Sequence, residues 1–265
     1  FSVQHHDKDW RWELGRAYSW FGTSSAGSMW LQDSSPAPLL GRVDGSVDFG
    51  RMLGAWRLSA QIGGFNDGGE NYYLISRRLQ KTVSRQWGLG FLDMVKTTET
   101  PNPMMLLLPG PAYQSVFLEQ IDTKWNSMLG FEAIYHPASR WEAYAQWMID
   151  DMSNPFDPAD VPKKTGILVG FRTRSGEPMD AGTRLQVNYA VIEPGVYEAT
   201  RPEYPYLAWT RQGLPLAWPF GPNSRTLTVR TERKIAERVD LVTSYVERRV
   251  KVGEGKFTSW SIQPT

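Results

Sequence analysis

The sequence predicts an all-β chain, a single antiparallel transmembrane β-barrel domain over residues 1–265 with short turns on one side and long loops on the other. At about 20 residues per strand and connection the barrel has roughly 12–14 strands. Three observations predict it. Apolar and polar residues alternate with a period of two along most of the chain, which in a strand sends them to opposite faces. Long charged side chains sit in the middle of the polar faces: Arg57, Glu132, Glu142, Arg172, Arg184, Arg230 and Glu232, with Asp240 and Arg248 beyond them. The connections are uneven, as in barrels whose short turns face one compartment and whose long loops face the other.

Taken in order, the first strand is Trp10–Trp20, with Trp10, Trp12, Leu14, Tyr18 and Trp20 on one face. A Gly/Ser/Pro stretch, Phe21–Leu40, precedes Arg42–Met52, where Val43, Val47 and Phe49 oppose Asp44, Ser46 and Asp48. A tight connection at Leu53-Gly54 leads into Ala55–Phe65, and Asn66-Asp67-Gly68-Gly69 is a strong turn because these residues tolerate positive φ. Tyr72–Val83 and Gln86–Thr97 form a hairpin about Ser84-Arg85. The Pro-rich segment Thr98–Ala112 carries the apolar run Met104–Leu108, and Ser115–Gln120 reads as a further strand. Met128–Tyr135 and Trp141–Asp151 pair through His136–Ser139. Trp141, Ala143, Ala145, Trp147 and Ile149 face one way; Glu142, Tyr144, Gln146, Met148 and Asp150 face the other. After the loop Ser153–Lys164 come Gly166–Arg174 and Thr183–Glu193, turning at Ser175–Pro178. Pro194–Asn223 is the longest irregular stretch. Arg225–Arg233 and Val239–Val250 form a hairpin at Ala236-Glu237, and Phe257, Trp260 and Ile262 mark the last strand.

Composition narrows the partners. The 29 basic and 28 acidic residues leave a net charge of +1, without the basic excess of a nucleic-acid binder. Cysteine is absent, which excludes disulfides, a cysteine nucleophile and Cys-based zinc sites. The longest apolar run has five residues, against the ~20 a helical span needs. Phe1-Ser2-Val3-Gln4 is no basic-then-apolar leader, so an exported chain is expected here in its mature form or as a trimmed one. The 12 tryptophans suit the aromatic girdles of a barrel, and equally a sugar-stacking surface.

No catalytic signature stands out. His5-His6 and His136 read as solvated, as does the acidic group Asp150-Asp151 with Asp157 and Asp160, where a calcium site would otherwise be drawn. The glycines from Gly63-Gly64 to Gly68-Gly69 lack a phosphate-loop lysine. No metal, no cofactor and no enzymatic activity are therefore expected. The candidate polysaccharide-binding residues are those of the longest loop: Tyr197, Tyr204, Tyr206, Trp209 and Trp218 to stack on sugar rings, with Arg201 and Arg211 to pair with acidic sugars. The same aromatics suit an interfacial girdle or a loop packed on the rim. Arg57, Arg77, Arg184 and Arg230, with Glu132, Glu142 and Glu232, are candidates to line the lumen, either as a charged pore or as a salt-bridged plug.

Several strings resemble the Wzi-like capsule-assembly family. They are Ser19-Trp20-Phe21-Gly22-Thr23 followed by Trp30–Pro38; Tyr72–Leu79; and, over Gln186–Arg233, Asn188-Tyr189, Pro194, Tyr197, Thr210–Leu216 and Gly221–Ser224. The resemblance implies an integral outer-membrane barrel, in contact with outer-membrane lipid, that binds or retains capsular-type surface polysaccharide as a lectin does. The chain departs from the family in its shorter length and in Asn188, where an acidic residue is expected; against the barrel expectation in general, it ends Ser261-Ile262-Gln263-Pro264-Thr265, without the terminal aromatic of many outer-membrane barrels. Two other readings stand beside it: a diffusion channel on the same architecture, and a soluble β-rich glycan-processing enzyme. The oligomeric state is left open.

Overall fold

The structure, a computed structural model, describes residues 2–16, 29, 39–67, 69–101, 125–138, 140–150, 164–173, 183–198, 208–211, 214–216, 218–236, 239–250 and 256–264. Its strands are β1 (Ser2–Asp7), β2 (Trp10–Arg16), β3 (Leu39–Asp48), β4 (Ala55–Asp67), β5 (Glu70–Thr82), β6 (Trp87–Thr97), β7 (Trp125–Ala138), β8 (Trp141–Asp150), β9 (Thr165–Thr173), β10 (Thr183–Ile192), the short β11 (Thr210–Arg211) and β12 (Leu214–Pro215), β13 (Ser224–Ala236), β14 (Val239–Val250) and β15 (Lys256–Pro264). A four-residue helix, α1 (Gly50–Leu53), lies between β3 and β4.

Thirteen strands form one antiparallel sheet in chain order, β1 to β10 and then β13 to β15, while β11 and β12 pair apart from it. The sheet's edge strands, β1 and β15, do not pair with each other. This up-and-down order needs only local connections. Those at one end are short: Lys8-Asp9, α1, 83–86 and 139–140, then 174–182 and 237–238. At the other end lie 17–38, 98–124, 151–164 and 193–223, with shorter links at 68–69 and 251–255. We refer to these as the short-turn and long-loop ends.

Several boundaries move from the sequence reading. The strand expected over Arg42–Met52 stops at Asp48, because Phe49 N–H bonds Gly54 O and Gly54 N–H bonds Gly50 O, closing α1. Gly50 and Gly54 have φ of 78° and 62°, a conformation glycine adopts without steric cost. His5 and His6 lie in an exposed strand, β1, that the sequence reading did not foresee. The expected strand at Ser115–Gln120 falls outside the described residues. The hairpin β5–β6 turns as expected, and Ser84 Oγ accepts from Gln86 N–H and Trp87 N–H.

The sheet is inverted relative to a soluble one. On β8 the polar set Glu142, Gln146 and Asp150 is buried with Tyr144 and Met148, while Trp147 on the opposite face is 43% exposed. Cross-strand partners carry this over the sheet. Phe131, Trp147 and Ile167 stand opposite one another on the outer face, as do Val169 and Tyr189, and all five are exposed. Trp12, Leu14 and Leu89 are exposed on the same outer side. Rings pair along this face, Trp87 on Tyr135 at 4.6 Å and Trp141 on Phe171 at 4.5 Å.

Candidate functional site

The inner face has two zones. Toward the long-loop end it is apolar: Tyr72, Leu74, Leu92, Met94, Met128, Met148, Leu168 and Ile192 form one cluster. Into it pack Met29 and residues between β10 and β13, namely Val196, Tyr197, Trp209, Leu216 and Trp218. Asp150, at the end of β8, anchors this wedge, since its carboxylate accepts Tyr197 N–H at 2.6 Å and Trp209 Nε1–H at 3.3 Å. Tyr197 has φ of 69°, a left-handed conformation costing about 1–3 kcal/mol that these bonds hold in place. Its hydroxyl donates to Met29 O at 3.1 Å. Burial first of all, and then the nearby Asp150 carboxylate, hold the phenol well above the ordinary tyrosine range; a hydrogen bond with the Trp218 backbone pulls the other way. Lys96 closes the zone, donating to Ala208 O at 2.7 Å with its ammonium 4.2 Å from the centre of the Tyr72 ring.

Toward the short-turn end the inner face is polar and ion-paired. Arg42 holds Asp44 through two bonds, at 2.7 and 3.1 Å, and Ser59 Oγ–H donates to the same carboxylate. Arg78 bonds Glu132 at 2.8 Å through Nε and 2.5 Å through Nη2, and Gln80 Nε2 adds a third donor at 2.9 Å. Glu132 is on β7 and Arg78 on β5. The carboxylate reaches across β6 at Gly90, where any Cβ would overlap the Glu132 side chain. The same device recurs at Gly170 of β9. The Tyr144 ring lies over it, so that its hydroxyl reaches Asn188 Oδ1 on β10 at 2.5 Å. Gln186 Nε2 donates to Tyr144 Oη at 2.6 Å, and Asn188 Nδ2 donates to Thr228 Oγ1 at 3.2 Å.

Four residues stand side by side across β8, β9, β10 and β13: Glu142, Arg172, Gln186 and Arg230. Arg172 pairs with Glu142 at 2.6 Å, and His136 Nδ1 is 3.7 Å from the same carboxylate. One row closer to the short-turn end, Arg184 is opposite Glu232. Glu232 accepts from Arg230 at 2.8 Å and stands 3.8 Å from Arg184. Arg172, Thr173, Arg184, Leu185, Gln186, Arg230 and Glu232 line a cavity of about 210 Å³.

The structure redistributes the residues singled out from sequence. Glu132, Glu142, Arg184, Arg230 and Glu232 lie on the inner face, and all five are ion-paired there. Arg57 shares the inward side of β4 with Ser59 and Gln61, exposed near the short turns in a second cavity with Gln80, Arg85 and His136. Arg77 does not line the interior. It is opposite Ala60 and Asp93 on the outer side, in an ion pair with Asp93, both buried. Its neighbour Arg78 takes the inward place, because alternation along β5 gives the interior to Tyr72, Leu74, Ser76, Arg78 and Gln80.

Tyr197, Trp209 and Trp218 are buried in the wedge, the two tryptophans at 0% exposure, so their rings present no open face to a sugar in this arrangement. Arg211 is in β11; Arg201, Tyr204 and Tyr206 lie outside the described residues, as do Asp151, Asp157 and Asp160. Sequence reasoning missed Tyr144, Gln186 and Asn188 as a network and Gly90 and Gly170 as crossing points. Their shared inward parity was readable; which ones meet depends on register.

An up-and-down antiparallel sheet with a mainly apolar outer face and an inner face that is hydrogen-bonded and ion-paired over its short-turn half has the build of the inside-out β-barrels. Among solved structures the chain is similar to Wzi of Escherichia coli, an outer membrane protein involved in group 1 capsule assembly and a carbohydrate-binding β-barrel, with a TM-score of 0.68 at 14% identity. The match covers 94% of this chain and 56% of that one, so this chain spans little more than half of its structural neighbour. No family model and no curated protein matches the sequence.

Proposed function

We propose that the chain is an integral outer-membrane β-barrel protein that binds or retains surface polysaccharide without chemically altering it. The observation that carries this reading is the inverted sheet. Exposed Trp12, Leu89, Phe131, Trp147, Val169 and Tyr189 belong against hydrocarbon, which solvates apolar side chains as water does not. The buried Arg–Glu pairs and the Tyr144–Gln186–Asn188 network give the inner face a hydrogen-bonding lining suited to water and sugar hydroxyls. The likeness to a carbohydrate-binding barrel supports the choice of ligand class. Hydroxyl-rich ligands are held by side-chain amides, hydroxyls and guanidinium groups of the kind the inner face carries.

The test is physical first and chemical second. The purified chain is expected to enter the detergent phase on phase separation, and to migrate as a compact species in SDS until heated. It is expected to retain capsular polysaccharide in a pull-down and to leave the chain length of that polysaccharide unchanged. Recovery in the aqueous phase would refute the barrel reading; shortening of the polysaccharide would refute the noncatalytic one.

A further inference from the structure

Among the described residues, the cavity between β9, β10 and β13 holds more positive charge than its own carboxylate neutralises. Arg172 is matched by Glu142. Arg184 and Arg230 share Glu232, at 3.8 and 2.8 Å. The Arg184 distance is too long for a hydrogen bond. Arg230 Nε is buried with no hydrogen-bond partner among the described residues. Among the described residues, two guanidinium forks, ten N–H donors in all, therefore face one carboxylate, with one positive charge in excess. Thr173 and Gln186 complete the lining with a hydroxyl and an amide.

We infer that this cavity is a subsite for an acidic sugar, taking its carboxylate between Arg184 and Arg230 and its ring hydroxyls against Thr173 and Gln186. The inference rests on the polysaccharide-binding reading and specifies its substrate class. A monoanion matches the single excess charge of the described lining, whereas a phosphate monoester, at about −1.5 to −2, exceeds it. The volume of about 210 Å³ lies below the ~300–1,000 Å³ of sites for drug-sized molecules and suits one sugar unit of a longer chain. Planar forks meeting a planar carboxylate give the bidentate geometry that favours Arg over Lys. The row Glu142–Arg172–Gln186–Arg230 places Arg230 beside Gln186 on the inner face, with Arg184 one row nearer the short turns.

The test uses the whole chain in detergent with two probes: a glucuronate-containing oligosaccharide, and the same oligosaccharide with its carboxyl groups reduced to alcohols. Binding is followed by calorimetry. The acidic form is expected to bind about tenfold more tightly, as charge-assisted hydrogen bonds warrant. Arg230→Gln and Arg184→Gln are each expected to remove most of that preference while leaving the reduced form unaffected. Arg230→Lys, which keeps the charge and loses the fork, is expected to fall between. Arg225→Gln removes the same charge from the outer side of β13 and is expected to change nothing.

Equal affinity for both probes overturns the acidic-sugar subsite and leaves the polysaccharide reading standing. Absence of binding by either probe overturns both. Inorganic phosphate or free glucuronate competing as well as the oligosaccharide would make this a free-anion site and overturn the assignment to a glycan. Because the reduced probe alters the ligand and not the protein, the comparison holds even where a variant folds poorly.

Discussion

Arg77 and Arg78 are consecutive in sequence and face different surroundings. Arg78 meets Glu132, with Gln80 beside it, on the inner face; Arg77 meets Asp93 on the outer side, where Asp93 is 0% exposed and Ile75, Val95 and Leu129 are buried around it. An ion pair removed from water is costly to break, because one partner is left charged in a medium that solvates it poorly. Asp93→Asn is therefore expected to destabilise the fold by about 3–5 kcal/mol. The double replacement Arg77→Met with Asp93→Leu is expected to recover most of that loss. Unfolding midpoints in urea with detergent present would measure both, and a double variant no better than Asp93→Asn would refute the account. The residue scale also shows what alternation leaves undecided. It assigns Arg77 and Arg78 to opposite faces from sequence alone, but which face is inner depends on where the rest of β5 points, and the apolar Leu74 and Ile75 fall one on each side.

The wedge between β10 and β13 is the element that the sequence described least well. Its length and its aromatics were visible, and its direction was not. A loop of Tyr, Trp and Pro has no periodicity to say whether it faces solvent or folds inward. The outcome rests on Asp150, whose carboxylate bonds the backbone of Tyr197 and the indole of Trp209. Burying two indoles and a phenol against methionines and leucines releases enough water to hold the segment in place. The buried Tyr197 hydroxyl gives this element a pH signature. The folded state keeps its proton longer than the unfolded chain does. The stabilisation is thus complete below the ordinary tyrosine range near 10 and declines as pH rises beyond it toward the folded-state value. Tyr197→Phe is expected to flatten that alkaline decline in a stability–pH series and to remove a late-titrating component of tyrosinate absorbance. Identical alkaline profiles for the two proteins would show that the hydroxyl is not held as described.

At the scale of the whole molecule, strand order, antiparallel pairing and two-faced strands were legible, because a period of two over some ten residues is hard to produce otherwise; the inverted sense rests on the mid-strand Arg and Glu residues, the uneven connections and the family-like strings. Closure and ligand were not, since both depend on which strands and loops meet in space. With Trp209, Trp218, Leu216 and Tyr197 seated on the inner face, free passage through the interior is not expected. Planar bilayers containing the protein are expected to show no stepwise conductance; regular open-channel steps would return the reading to a diffusion channel. Gly90 and Gly170 carry a last consequence, for assembly. A slip of one residue exposes the wrong face at once, but a slip of two preserves parity and satisfies every nearest-neighbour ladder. The bridges Glu132–Arg78 and Tyr144–Asn188 each span three strands through one glycine. Moving β9 by two residues would set Leu168 or Arg172 beneath the Tyr144 ring, where Gly170 leaves room. Each bridge thus proofreads two alignments at once, rejecting the parity-conserving error that an alternating sequence is otherwise unable to detect.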